Sequence, residues 1–243
     1  MIAKGRKLTR ILAEAGWRHV LLRQRVAAGV EHAGVLRQLG TVRTLVDIGA
    51  NRGQFALAAR HCFPAAKIYS FEPLAGPAGI FRRVFSVDAR VILYESAIGP
   101  KAGQAEIHIS ARDDSSSLLP ITEWQSALFP GTAEVACQAI QMTPLDAVLA
   151  SKDIEEPALL KLDVQGFELQ ALQGCESLLE HFDWIYAECS FVELYKGQAL
   201  ADEVIAWLRE RGFMLSGIYN MSNDSKGRAI QADFLFDRRR EAG

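Results

Sequence analysis

The sequence predicts an α/β fold, in which helices cover both faces of a mostly parallel sheet that ends in an antiparallel strand. From residue 41 onward, short apolar runs alternate with segments of helical periodicity, and the connections between them are short. That alternation is typical of parallel strands joined by crossover helices. The last two apolar runs are joined by the polar turn 222–227, which instead indicates an antiparallel pair.

The size and composition of the chain fit one large globular domain with a small appendage. Its 243 residues are 49% hydrophobic and 23% charged, values that exclude global disorder. The formal net charge of −2 disfavours a uniformly basic nucleic-acid binder, so we expect no nucleic-acid partner. The four cysteines form neither a CxxC pair nor a zinc-finger spacing, and we predict free thiols in a cytoplasmic protein. We expect no signal peptide and no transmembrane segment, since no apolar run approaches the roughly 18 residues that span a bilayer.

The beginning of the chain is basic, whereas the rest is acidic. The first 43 residues hold nine Lys or Arg and two Glu, against 18 basic and 27 acidic residues in the remaining 200. Apolar residues recur at helical spacing over 6–28, and a second short helix is predicted over 30–39. We therefore predict a basic helical segment 1–40 ahead of a larger domain 41–243. The amphipathic stretch 1–28 fits a solvated face, a peripheral membrane contact or a homodimer contact.

The elements of the larger domain follow in chain order. Strands are predicted over 44–48, 67–71, 90–94, 159–162, 184–187, 213–219 and 229–236, and helices over 54–62, 79–85, 168–180 and 200–211. The stretch 104–142 breaks this alternation. Its runs 105–109 and 133–142 predict a hairpin, and the polar segment 110–131 between them is predicted to cover the sheet as a lid.

Candidate functional residues follow the predicted strands, because ligands of open parallel sheets bind beyond the carboxyl ends of the strands. They are Asp47, Gly49, Asn51, Gly53, Glu72, Glu95, Ser96, Ala97, Asp163, Gln165, Glu188 and Ser190. So many acids suit a ligand with positive charge or many hydroxyls, and they suit a phosphate-rich ligand poorly.

The turn after the first strand supports this interpretation. The run Gly49-Ala50-Asn51-Arg52-Gly53 departs from G-x-G-x-x-G, because Asn51 replaces the glycine that lets backbone approach a pyrophosphate. Asp47 fits a cationic amino group better than a phosphate. Glu72 lies 19 residues beyond Gly53, where an acid binds ribose hydroxyls in nucleotide sites. Ribose together with an amino group, without pyrophosphate, describes S-adenosylmethionine.

These motifs make the sequence resemble the FkbM-type S-adenosylmethionine-dependent methyltransferases over residues 44–237. The motifs are VDIGANRG (46–53), FEP (71–73), AIG (97–99), KLDVQGFE (161–168), LQG (172–174), ECSFVELY (188–195) and QADFLF (231–236). The resemblance implies the class I methyltransferase fold, a Rossmann-like sheet of seven strands with the last antiparallel. It also implies S-adenosylmethionine as cofactor and methyl transfer to a hydroxyl of a sugar, a glycan or another small molecule.

The same resemblance assigns roles to the residues at the strand ends. The methionine end of the cofactor would contact Asp47, Gly49, Asn51 and Gly53. Glu72, followed by Pro73, would bind the ribose, and Ser96 and Ala97 would lie near the adenine.

A hydroxyl acceptor must lose its proton during methyl transfer, so the site needs a base or a metal ion. Asp163 ends a strand beside the cofactor turn; it is the first candidate for the base and is also counted among the cofactor contacts. Glu188, on the next strand, is the second candidate. The two carboxylates could instead hold a divalent cation, although two are too few to specify a metal site. The structural alternative for Asp163 is a cap of the turn before Gly166.

Contacts with the acceptor are predicted for Ser116 and Ser117 in the polar segment and for Phe191 and Tyr195 after the fifth strand. The alternative is that the serines only solvate a loop tip and the aromatic rings only pack beneath it. Two other functions stay open from the residues alone. One is an NAD-dependent oxidoreductase, which Asn51 disfavours, and the other is a non-catalytic scaffold that binds S-adenosylmethionine.

Overall fold

The computed structural model describes residues 2–238 of the chain. Its strands are β1 Thr44–Ile48, β2 Lys67–Phe71, β3 Val91–Tyr94, β4 Ala97–Ile98, β5 Gly103–Ser110, β6 Glu134–Thr143, β7 Ala158–Leu162, β8 Trp184–Ser190, β9 Phe213–Asn223 and β10 Ala229–Arg238. Its α-helices are α1 Ile2–Ala13, α2 Ala15–Gln24, α3 Ala33–Gln38, α4 Gln54–Cys62, α5 Ala75–Val84, α6 Glu123–Leu128, α7 Glu168–Gly174 and α8 Ala201–Glu210.

The main sheet has seven strands in the order β3-β2-β1-β7-β8-β10-β9. Neighbouring strands from β3 to β8 are parallel, and β10 runs antiparallel to both β8 and β9. This arrangement confirms the predicted α/β class with its reversed last strand. The central strands β1 and β7 are buried along their whole length, as expected for a parallel sheet that is covered on both faces.

A second, smaller sheet of three strands has the order β4-β6-β5. In it, β5 and β6 pair antiparallel and form the hairpin of the stretch 104–142. The segment between them contains the 3₁₀ turn Asp113–Ser115 and the short helix α6, so it is more ordered than a plain loop. The Thr122 hydroxyl caps α6 by accepting a hydrogen bond from the Gln125 backbone N–H.

The N-terminal segment differs from the single helix predicted over 6–28. Glu14 takes an extended conformation, with φ of −91° and ψ of 119°, and separates α1 from α2. The break lets Trp17 lie buried on α4, where its indole N–H donates a hydrogen bond to the Leu57 carbonyl at 3.2 Å. The second helix then ends because Arg25 adopts a left-handed conformation with φ of 58°. Long-range packing thus overrides a helical periodicity that is continuous in the sequence.

The main sheet separates two apolar clusters, and the N-terminal helices complete one of them. Trp17, Val30 and Leu36 pack in the same cluster as Leu45 of β1 and Phe55 of α4. The boundary between 1–40 and 41–243 stays a prediction, and in the structure both sides of it share a core. Within residues 2–238 no helix has the length and apolar character that crossing a membrane requires.

Candidate active site

A cavity of about 590 Å³ opens beyond the carboxyl ends of the parallel strands. That volume is typical of a small-molecule or cofactor site. The predicted site residues that line it are Gly49, Asn51, Glu72, Pro73, Ser96, Ala97, Ser116, Ser117, Asp163, Gln165 and Glu188. Other residues were also predicted for the site but do not line the cavity: Asp47, Gly53, Glu95, Ser190, Phe191 and Tyr195.

The turn after β1 is shaped by close packing. Gly49 has a positive φ of 79°, and a Cβ atom there would lie 1.9 Å from the Asp163 carbonyl oxygen. The absence of a side chain therefore lets the end of β7 approach the turn. Gly53 also has a positive φ, and a Cβ atom there would meet the Phe85 ring at 2.7 Å. Gly53 thus packs α4 against the end of α5, while Gly49 faces the cavity.

The carboxylate of Glu72 is fixed where β2 ends. Its Oε2 accepts a hydrogen bond from the Asn51 backbone N–H at 2.9 Å, and its Oε1 accepts one from the Leu74 backbone N–H at 2.8 Å. Glu72 is only 6% exposed and lines the cavity. The two backbone N–H groups therefore hold this carboxylate at the wall of the cavity.

Below the turn, Asp47 forms a buried ion pair with Lys161. The Lys161 Nζ lies 3.1 Å from Asp47 Oδ1, and both side chains are almost completely inaccessible to solvent. The same Nζ donates to the Gly49 carbonyl at 3.1 Å and lies 3.9 Å from Asp163 Oδ2. Burial lowers the pKa of Lys161, but the neighbouring carboxylates outweigh burial, so the pKa is raised. The direct contact of Asp47 with a cofactor stays a prediction; in the structure Asp47 holds the lysine that supports the turn.

The two candidate bases are joined by one glutamine. Gln165 Nε2 lies 2.7 Å from Asp163 Oδ1 and 3.1 Å from Glu188 Oε2, and donates to both carboxylates. Gln231 Nε2 donates to the other Glu188 oxygen at 2.8 Å. Gln165 lies in the turn between β7 and α7 and adopts a left-handed backbone conformation there, with a φ of 55°.

The two acids differ in their surroundings. The Asp163 side chain is 40% exposed and opens on the cavity. Glu188 is more enclosed, and burial, followed by repulsion from Asp163, Asp233 and Glu168, raises the pKa of Glu188 well above its ordinary value. Glu188 therefore retains a proton more readily than an ordinary glutamate, whereas Asp163 is the carboxylate accessible to a ligand. An amide N–H stands between the two acids, so their donor set is a weak one for a divalent cation.

The predicted acceptor contacts divide into two groups. Ser116 and Ser117 line the cavity, and the Ser117 hydroxyl donates to the Gln165 carbonyl at 2.6 Å. Tyr195 is buried, and its hydroxyl donates to Gln165 Oε1 at 2.8 Å. Phe191 is 36% exposed and lies against Phe234, with ring centroids 5.6 Å apart. Tyr195 thus orients Gln165 from behind the cavity, and the acceptor roles of all four residues stay predictions.

Sequence reasoning did not predict how Lys161, Gln165 and Gln231 organise this site, although it named Gln165 among the candidates at the strand ends. Lys161 is a charged residue inside an otherwise apolar strand, and that pattern alone signals a buried partner. Gln165 and Gln231 carry no such signal, because their partners lie 23 and 43 residues away in the chain. Their roles follow from the order of the strands, which sets Asp163 beside Glu188.

Comparisons with known proteins agree with this geometry. Residues 47–215 match the model of the methyltransferase FkbM domain. The chain is 30% identical over 165 residues to the 2-O-methyltransferase NoeI of Sinorhizobium fredii, a match that covers 63% of this chain and 66% of that protein. It is 26% identical over 193 residues to the 31-O-demethyl-FK506 methyltransferase FkbM of Streptomyces tacrolimicus, covering 69% and 71% of the two chains.

Among solved structures, a precorrin-6y C5,15-methyltransferase from Geobacter metallireducens superposes with a TM-score of 0.49 at 12% identity, over 90% of this chain and 96% of that one. The family match extends from the end of β1 into β9 and includes Asp47, Glu72, Asp163 and Glu188. It confirms the resemblance seen in the sequence and favours a transferase over the oxidoreductase alternative. The chain belongs to the FkbM methyltransferase family.

Proposed function

We propose that the protein is an S-adenosylmethionine-dependent O-methyltransferase that acts on a hydroxyl of a sugar, a glycan or another small molecule. The observation that carries the proposal is that the accessible carboxylate of Asp163, the enclosed one of Glu188 and the fixed one of Glu72 line one cavity. Two relatives, a 2-O-methyltransferase and a 31-O-demethyl-FK506 methyltransferase, support a hydroxyl as acceptor.

The residues present fit this cofactor. Glu72 is held by two backbone N–H groups and presents an acceptor group at the cavity wall, where ribose hydroxyls would bind. The turn after β1, which lines the cavity from Gly49 to Arg52, would face the methionine end of the cofactor, while Ala97 and Ile98 supply an apolar wall. When bound, the cofactor supplies a methyl group that its sulfonium already activates.

Positioning and proton removal are the tasks left to the protein. We assign the proton removal to Asp163, because its carboxylate opens on the cavity and is oriented by Gln165. Burial raises the pKa of Glu188, so this neighbour of Asp163 carries less negative charge than a free carboxylate would. The Tyr195 hydroxyl donates to the side-chain oxygen of Gln165, and the Ser117 hydroxyl donates to its backbone carbonyl, so both fix the position of Gln165.

A binding measurement and a transfer assay together test this function. By calorimetry we expect S-adenosylmethionine and its demethylated product to bind, and NAD not to bind. Incubation with a radiolabelled methyl donor and a panel of sugars, glycans and hydroxylated small molecules should give an O-methyl ether. Binding of NAD in place of the methyl donor would contradict the proposal. Binding of the methyl donor without transfer to any acceptor would instead support a scaffold role.

A further inference from the structure

A cluster of potential metal ligands lies on the hairpin of β5 and β6, outside the cavity. Glu106, His108 and Cys137 each offer one ligand atom, and these atoms lie within 4.8 Å of one another. Glu134 joins them, with its Oε2 2.9 Å from His108 Nδ1 and its Oε1 3.3 Å from Cys137 Sγ. None of these four residues lines the cavity, so the proposed methyl transfer does not use them.

The register of the hairpin explains why the four side chains meet. His108 pairs directly with Cys137, and Glu106 lies two residues earlier on the same face of β5. Regular pairing would continue that face of β6 with Val135. The register instead shifts between Ile109 and Ser110, so that Glu134 pairs with Ser110. This β-bulge turns Glu134 toward His108 and Cys137, in the way that bulges re-aim side chains next to functional sites.

The separation of the thiol and the imidazole matches one edge of a metal tetrahedron. Cys137 Sγ lies 3.4 Å from His108 Nδ1. A tetrahedral Zn²⁺ with Zn–S of about 2.3 Å and Zn–N of about 2.0 Å places sulfur and nitrogen about 3.5 Å apart. A thiolate together with an imidazole selects zinc over the hard cations magnesium and calcium, which prefer oxygen ligands alone.

The cluster gathers two carboxylates around one thiol. The Cys137 thiol donates to Glu134 Oε1 at 3.3 Å, and a ligand atom of Glu106 lies within 4.8 Å of the Cys137 Sγ. A divalent cation would neutralise both carboxylates and stabilise the thiolate. On binding, the thiol proton leaves to solvent and a metal–sulfur bond takes its place.

We propose that Glu106, His108, Glu134 and Cys137 form a structural zinc site that clamps the hairpin behind the cavity. The segment 110–131 connects the two strands that carry these ligands. The His108 backbone exchanges hydrogen bonds with Ser117 in both directions, at 2.7 and 3.1 Å. Ser117 in turn lines the cavity and contacts Gln165. The ion would therefore fix the strand against which the cavity-lining serines are held.

Cobalt is the probe for the test, because Co²⁺ takes the place of zinc and reports a sulfur ligand by a thiolate-to-metal charge-transfer band. The full chain, stripped of metal and kept reduced, should bind one Co²⁺ per chain with that band, and Zn²⁺ should displace it. Cys137→Ser should abolish the band, and His108→Ala should weaken Co²⁺ binding at least ~10-fold. The matched controls Cys62→Ser and His19→Ala change the same residue types elsewhere and should bind like the wild type.

Three results would overturn the proposal: no stoichiometric binding, binding without the charge-transfer band, or a band that persists in Cys137→Ser. Cys137 is exposed on its strand, so its replacement by serine leaves no buried void. Should that variant nevertheless fail to fold by circular dichroism, Glu134→Gln tests the site through its affinity for Co²⁺ instead. We expect it to weaken Co²⁺ binding, and an unchanged affinity would overturn the proposed four-ligand site.

Discussion

The two sides of the cavity are built in different ways. The side that we assign to the cofactor, called the cofactor side, consists of residues 49–52, 72–74 and 96–98, which come from consecutive strand ends within one stretch of the chain. The side that we assign to the acceptor, called the acceptor side, consists of residues 115–118, 163–165, 188 and 231, which come from four distant segments. On the cofactor side the key carboxylate is held by backbone N–H groups. On the acceptor side the carboxylates are held by the side-chain amides of two glutamines.

This difference separates two kinds of defect. The backbone N–H groups that hold Glu72 are in place whenever the protein is folded. A substitution on the cofactor side should therefore alter cofactor affinity and little else. The amide network around Asp163 depends on several side chains at once, and networks of this kind are not additive. A change on the acceptor side should therefore alter turnover more than cofactor affinity.

The largest effect is expected for Asp163→Asn. This change keeps the shape of the side chain but removes the proposed base, and turnover should fall roughly 10²- to 10⁴-fold. Cofactor affinity should change far less, because Glu72 lies on the other side of the cavity. Steady-state kinetics together with calorimetry separates the two quantities, and Asp202→Asn on α8 is the matched control. Turnover near the wild-type rate would transfer the base assignment to Glu188.

The two sides meet at Gly49, where the cofactor turn contacts the Asp163 backbone. Gly49→Ala would place a Cβ atom 1.9 Å from the Asp163 carbonyl oxygen and a non-glycine residue at φ of 79°. We expect a loss of about 3 kcal/mol or more in the free energy of unfolding. The control is Gly76→Ala in α5, where no atom lies within 4 Å of the added Cβ and stability should be kept or slightly raised. Equal melting temperatures for the wild type and Gly49→Ala would refute the close contact.

Glu168, which begins α7 just after the acceptor-side segment 163–165, makes the stability of the protein depend on pH. It is 4% exposed, its Oε1 accepts the backbone N–H groups of Val164 and Gly166, and burial raises its pKa to about 7. A raised carboxyl pKa means that the folded state favours the protonated form. Its contribution to stability is therefore complete below the ordinary pKa of 4.5 and is lost as the pH rises to about 7.

Replacing Glu168 by Gln should remove this dependence. Between pH 4 and pH 8, urea unfolding of the wild type should lose roughly 3 kcal/mol relative to Glu168→Gln. The exposed Glu210→Gln on α8 should follow the wild-type curve. A wild type and a Glu168→Gln variant with parallel curves would show that Glu168 is ionised throughout the range.

The bounds of β1 and β2 could be predicted from the sequence because the residues that end each strand are its neighbours in the chain. The prediction 44–48 equals β1, and 67–71 equals β2, since apolar β-formers end there at Gly49 and at Glu72-Pro73. The break at Glu14 could not be predicted, because it depends on the docking of Trp17 against Leu57, 40 residues away. Motifs singled out residues 49–51 and 72–73 for the same local reason, and these residues do line the cavity, apart from any test of cofactor binding. Gln165 and Gln231 were missed as organising residues because only the strand order brings them to Glu188.

The smallest effect concerns the cofactor side itself. Glu72→Gln keeps the size of the side chain but loses the charge that would strengthen hydrogen bonds to ribose hydroxyls, and its amide NH2 cannot accept one of the two backbone N–H groups. We expect the affinity for S-adenosylmethionine to weaken by about 1.5–3 kcal/mol, the usual worth of a hydrogen bond to a charged group. Turnover at saturating cofactor should stay within a few-fold of wild type, in contrast to Asp163→Asn. Calorimetry at several cofactor concentrations and kcat at saturation provide both numbers. An unchanged affinity would refute the ribose assignment, whereas a collapse of kcat at saturation would show that the two sides are energetically coupled through the turn at Gly49.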